Sequence, residues 1–95
     1  MNDNKELPRP RLICVTGDNE PGLLGRILDI FGRMSCKILE LGFLVHAQDT
    51  DTHISFACCE SEYELIKSRL RGLVSVRSLR EPPAYFVAGV FRGSD

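Results

Sequence analysis

The feature that most constrains this chain is the order in which its hydrophobic period changes. Between Arg11 and Glu81 the apolar residues recur with strand, helix, strand, strand, helix and strand spacing in turn. Few folds accept β-α-β-β-α-β in so short a span. Right-handed crossovers place both helices on one face of a four-stranded antiparallel sheet, which is the α+β, ferredoxin-like arrangement.

The signals along the chain are local. Arg11 to Thr16 (RLICVT) is apolar on both parities, as a central strand is. Gly17 to Pro21 breaks it, with Pro21 suited to a first helical turn and Asn19 or Glu20 where a cap belongs. Leu24, Ile27, Leu28, Phe31 and Met34 then follow helical spacing, and Ser35-Cys36 ends the helix. Lys37 to Gln48 (KILELGFLVHAQ) is a long strand whose Leu39, Leu41, Phe43 and Val45 face the helices, with Gly42 marking a bulge or close approach. Asp49-Thr50-Asp51 is a turn, and Thr52 to Glu60 returns as a strand with Ile54, Phe56 and Cys58 inward. Ser61 and Glu64 form a capping box for a second helix that buries Tyr63, Ile66 and Leu70 and closes on a left-handed Gly72. Val74 to Glu81 is the last strand.

This divides the chain into a flexible lead, 1–10, one domain, 11–81, and a Pro-led apolar tail, 82–95. The tail's Ala84 to Phe91 (AYFVAGVF) is too short to span a membrane, and its expected use is packing on the open sheet face or on a partner. The outward parity of the sheet carries Ile38, Leu44, Ala57 and Cys59, too apolar a set to stand idle in water. Met1 to Pro10 is polar and lacks the apolar core of a signal peptide, so the expected address is cytoplasmic.

Composition removes several function classes. A net charge of −1 supplies no field to gather a polyanion, and the third strand offers no outward aromatic for base stacking, so nucleic acid is not an expected partner. The four cysteines include no C-x-x-C pair and read as small buried hydrophobes. His46 and His53, with Asp49 or Asp51, are a candidate metal pair, but two ordinary surface histidines beside a turn explain them equally. Asp18 and Glu20 have a structural reason beside a positive helix end, and no general-acid partner accompanies them. No catalytic residue, metal or cofactor is expected.

The strand–loop–helix corner has a chemistry of its own. The amides of Gly22, Leu23 and Leu24 can donate to a carboxylate, while Asn19, Asp18 or nearby carbonyls can accept from an ammonium. Such a pairing suits a free amino acid, and charge-assisted bonds of ~1.5–3 kcal/mol each, less the cost of immobilisation, suit micromolar to millimolar affinity. Corners of this kind are also common without any ligand.

The segments DNEPGLLGRILDIFGRMSCKILEL, THISF and LIKSRLRGLVSV together resemble an ACT domain over about Leu12 to Leu79, most closely the small regulatory subunit of acetolactate (acetohydroxyacid) synthase. The matching motifs are Asn19-Glu20-Pro21-Gly22 and Leu70 to Val76. The resemblance implies a non-catalytic regulator that binds a small amino acid at a dimer interface and acts on a catalytic subunit. Valine, leucine and isoleucine are the implied ligands. It places the site on Asp18, Asn19, Glu20, Gly22, Leu23 and Leu24 of one chain with Lys37 and Ile38 of the other. Lys37 departs from the Asn usual there in the synthase group. Independently, the strand 37–48 is a long apolar edge, and pairing with its twin would cover it as a homodimer. A stand-alone sensor for another enzyme and a ligand-free assembly module are the alternatives.

Overall fold

The computed structural model describes residues 7–34 and 36–82. The elements follow the expected order: β1 (Arg9–Asp18), α1 (Leu23–Gly32), β2 (Lys37–His46), β3 (Asp49–Cys58), α2 (Glu60–Arg71) and β4 (Val76–Arg80). The sheet runs β2-β3-β1-β4 with every pair antiparallel. Two long strands therefore fill the centre, while β2 and the short β4 form the edges. Of the expected lead 1–10, residues 1–6 lie outside the described residues, as does the tail beyond Pro82, while Arg9 and Pro10 already belong to β1.

Ile13 and Val15 of β1 and Ile54 and Phe56 of β3 meet Leu23, Ile27, Ile30 and Phe31 of α1 and Tyr63, Ile66 and Leu70 of α2. Both helices thus cover one face, as the crossover rule requires. Phe31 and Phe56 sit edge to face with ring centroids 4.8 Å apart, the arrangement favoured by the aromatic quadrupole.

Several local expectations are corrected. The buried stripe of α1 is Leu23, Ile27, Ile30 and Phe31, with Leu24 and Leu28 only half buried, so the helix is turned by about one residue from the expected face. Its N-cap is Gly22 rather than Asn19 or Glu20, no side chain caps it, and it ends before Ser35. The hairpin turn is Ala47-Gln48, and Asp49 to Asp51 belong to β3. The irregularity in β2 falls between Ile38 and Glu40, not at Gly42. Beyond it Leu41, Phe43 and Val45 do share the helix face, yet Leu41 and Val45 are 40% and 54% exposed because β2 lies at the edge. Before it Ile38 pairs with Phe56 and so faces the helix side, not the outer side. The capping box at Ser61 is not formed. Cys59 is the N-cap, with its thiol 3.4 Å from Glu62 three residues on. Gly72 has φ −80, so it is no left-handed cap, and Val74 stands 98% exposed ahead of β4.

Ala47 takes φ +53, the one non-glycine among the described residues in the left-handed region. Only two residues join the strands, and such short connections favour a positive φ at the first of them. Ala47→Gly should therefore raise stability by about 0.5–1 kcal/mol, read as a higher urea midpoint at unchanged slope.

The far end of the sheet is tied to α2 by charge. Glu81 accepts hydrogen bonds from Tyr63 Oη (2.9 Å) and Lys67 Nζ (3.2 Å), and the Lys67 ammonium also lies over the Tyr63 ring. Burial works to raise the Glu81 carboxyl, but these two bonds and the Lys67 and Arg71 charges hold it below its usual range. Burial alone would lower Lys67, and its bonds to Glu64 and Glu81 lift it instead. A carboxyl depressed in the folded state stabilises it above the unfolded pKa and is lost as the pH falls. Stability should thus decline below about pH 4.5, and Glu81→Gln should lower the urea midpoint at neutral pH while flattening that acid limb.

Candidate functional site

The corner after β1 is built by close backbone contacts before any side chain takes part. Asp18 N–H donates to Ser75 C=O at 2.9 Å, and Asn19 N–H donates to Gln48 C=O at 2.8 Å. The loop is thereby pinned to the α2–β4 loop on one side and to the hairpin turn on the other. Gly17 makes the first contact possible, because a Cβ there would lie 2.8 Å from Ser75 O and from Leu23 Cδ2. Gly22 then turns the chain into α1 with φ +88, a conformation that favours glycine.

Leu23 N–H is satisfied by Glu20 C=O at 3.2 Å, and Arg26 N–H by Gly22 C=O at 3.0 Å. Between them, the amides of Leu24 and Gly25 have no internal acceptor among the described residues. Two donors at the positive end of a helix, with no acidic residue in its first turn, are disposed toward an anion.

The side chains are arranged as follows. Asn19 Nδ2 donates to Ala47 C=O at 3.1 Å, leaving Oδ1 to accept. Asp18 pairs with Arg77 at 3.2 Å, and Arg77 also bonds Asp49. Glu20 and Arg26 form an ion pair at 3.1 Å. This pair forms one wall of a cleft of about 360 Å³ whose other wall is Gly72 to Ser75. Those four residues were missed in the sequence because Gly72 to Val76 reads there as a cap running straight into a strand. Of the expected residues, Asp18, Asn19, Glu20 and Gly22 are exposed or half-exposed at the corner, whereas Leu23 is buried in the core and can offer only backbone.

Lys37 and Ile38 are not brought to the corner within one chain. They start β2 opposite Ala57 and Phe56, at the other end of the sheet from Asp18, which pairs with Asp49. At ~3.3 Å per residue a ten-residue strand separates the two places by roughly 30 Å.

The metal and thiol candidates resolve simply. His46 Nε2 pairs with Asp51 at 3.2 Å, while His53 Nδ1 faces Cys14 Sγ at 3.8 Å. Among the described residues no group of three His, Cys, Asp or Glu side chains could hold a metal ion. Burial pushes the Cys58 thiol up to about 11 and raises Cys14 and Cys36 as well, which makes poor nucleophiles of them. Among the described residues no helix is long and apolar enough to cross a membrane.

No protein-family model matches the sequence, and no curated protein does. Solved structures do. The ACT domain of the GTP pyrophosphokinase of Chlorobium tepidum aligns with a TM-score of 0.71 at 11% identity, over 78% of this chain and 97% of that one. The acetolactate synthase small subunit of Thermotoga maritima aligns at 0.66 and 19% identity, over 77% of this chain and 47% of that one. An ACT domain protein of Streptococcus pneumoniae aligns at 0.54 and 14% identity, over 87% and 93%. At such identities the likeness is one of fold, and the fold is that of ACT domains.

Proposed function

We propose that the chain is a non-catalytic regulatory unit that forms a two-fold dimer through β2 and holds a small amino acid between the corner of one chain and Lys37 of the other. The observation that carries this is the placement of β2. It is an edge strand of ten residues, and Ile38, Leu39, Leu41, Leu44 and Val45 on it are all at least 38% exposed. Such an edge left bare is a site of further pairing. Antiparallel pairing of β2 with its copy reverses the strand, so the Lys37 end of one protomer meets the His46 end of the other. A ladder centred on Gly42 sets Lys37 close to the partner's Ala47, the carbonyl that already holds Asn19. A ligand carboxylate there finds the Leu24 and Gly25 amides and an ammonium, and its own ammonium finds Asn19 Oδ1.

The regulated enzyme in this reading is acetolactate synthase in the cytoplasm, supported by the Asn19-Glu20-Pro21-Gly22 and Leu70 to Val76 motifs and by one structural neighbour's name. Effector binding would act by preferring one state of the complex, with coupling of ~1–3 kcal/mol. A second reading is favoured by the internal pairing of Asp18, Glu20 and Asn19: an assembly module whose corner holds no ligand.

The test is calorimetric titration with valine, leucine and isoleucine beside sedimentation of the free protein. A dimer binding one of them at micromolar to millimolar affinity, with loss of binding in Asn19→Ala and in Lys37→Ala, is the expected result. A dimer binding none selects the assembly module. A monomer overturns the shared site.

A further inference from the structure

Cys36, Cys58 and Cys59 gather at one end of the sheet, and the strand register sorts them. Lys37 lies opposite Ala57, and Ile38 opposite Phe56. One step further along this antiparallel ladder sets Cys36 opposite Cys58. Phe56 belongs to the core, so Cys58, two residues on, faces the helices as well, and it is 1% exposed. Cys36 stands two residues before Ile38 and packs, partly buried, on the same core cluster. Burial does most to raise the Cys58 thiol, Arg11 lowers it, and Cys36 adds to the rise, an influence that falls off with distance.

The other two thiols are turned elsewhere. Cys59 has the opposite parity and caps α2, with its Sγ 3.4 Å from both Ser61 Oγ and Glu62 Oε1. Cys14 lies on the outer face of the sheet beside His53. Cys36 Sγ donates to Phe31 C=O at 3.7 Å, a weak bond that is easily given up. Opposed residues of an antiparallel pair have Cα atoms about 4.5 or 5.5 Å apart, and a disulfide spans about 4.4–6.8 Å, so either kind of pair can be bridged.

We propose that Cys36 and Cys58, both free in the structure, are a redox pair that a low-molecular-weight disulfide such as oxidised glutathione converts to an intrachain disulfide. Cys36, the more exposed of the two, loses its proton to water, and its thiolate attacks one sulfur of the oxidant. The oxidant's S–S bond breaks, and one small thiolate leaves and is protonated. The Cys58 thiolate then attacks Cys36 Sγ and expels the second small thiolate. Two protein thiols are thus oxidised while one small disulfide is reduced to two thiols. Because burial raises both protein thiols, little thiolate is present at neutral pH, and the bridge forms faster as the pH rises. The bridge pins to β3 the end of β2 that carries Lys37, where two ladder pairs, at Lys37 and Ile38, precede the register slip. None of this depends on the corner taking a ligand.

The experiment incubates the folded, reduced full chain with oxidised glutathione, without denaturant, at neutral and at mildly alkaline pH. A thiol-alkylating agent then stops the exchange. Intact mass should show one bridge and two alkylated thiols in a single chain, reached sooner at the higher pH. Cys14→Ser and Cys59→Ser should bridge as the unaltered chain does. In Cys59→Ser, Cys58 is the one cysteine of its peptide, so fragment masses assign its partner directly, and Cys36 is expected. The bridged chain should unfold at a higher urea midpoint, and dithiothreitol should remove the increase. Thiols that stay free or carry glutathione at both pH values overturn the proposal. So do a bridge that Cys14→Ser or Cys59→Ser abolishes, a linkage between two chains, and a bridged chain whose urea midpoint is not raised.

Discussion

Phe56→Ala should cost about 3–5 kcal/mol, enough to leave much of the protein unfolded at 25 °C if its total stability is in the ordinary range of about 5–15 kcal/mol. Phe56 is fully buried on the central strand β3. Its ring meets Phe31 of α1 at 4.8 Å and Tyr63 of α2 at 6.0 Å, so this one side chain of the sheet packs against both helices. Alanine leaves a cavity bounded by two helices that are each anchored elsewhere, and neither can move in to fill it. Urea unfolding should show the loss as a lower midpoint. Phe56→Leu, which keeps most of the volume, should recover more than half of it. If Phe56→Ala costs less than about 1 kcal/mol, the helices do not rest on this ring in solution.

The position of Phe56 was legible in the sequence, and so was the whole topology, for a common reason. Alternation on β3 and the Tyr63, Ile66, Leu70 spacing on α2 report burial directly, and burial is what fixes the layers. The failures lie where backbone geometry rather than burial decides. Gly72 looks like a left-handed stop but keeps φ −80, while the left-handed residue of the hairpin is Ala47, a residue that carries no turn signal. The β2 irregularity falls between Ile38 and Glu40, so the apolar parity switches there and moves Ile38 to the helix face. Adjacent Ile38 and Leu39 hide such a slip, since either register turns an apolar side chain to the helix face. At the corner, Gly22 could be read as a residue kept small for a ligand. Its φ of +88 supplies a conformational reason, with only Arg26 Nη2, at 3.9 Å, near the place of a Cβ. The cleft wall from Gly72 to Ser75 depends on a loop whose path no periodicity announces.

Gly17 and Gly22 therefore separate packing from conformation at one site. Gly17→Ala is expected to destabilise by about 2–3 kcal/mol, because the added methyl meets Ser75 O at 2.8 Å. Leu23 Cδ2, at the same distance, can rotate away, but Ser75 O is backbone and also accepts the Asp18 amide. Relief must come by pushing the α2–β4 loop outward, which breaks that bond and moves the whole 18–22 segment. Gly22→Ala meets no such wall and should cost only about 1 kcal/mol, the penalty of a left-handed alanine. The pair then tests what the corner is for. If it holds an amino acid, Gly17→Ala should weaken binding at denaturant-free conditions where the protein is still folded, since the Leu24 and Gly25 amides move with the loop. Gly22→Ala should leave binding nearly intact, as its methyl projects past Arg26 rather than toward those amides. Equal binding losses in both variants would mean that fraying of the first turn of α1, rather than the pinned position of the loop, governs the site.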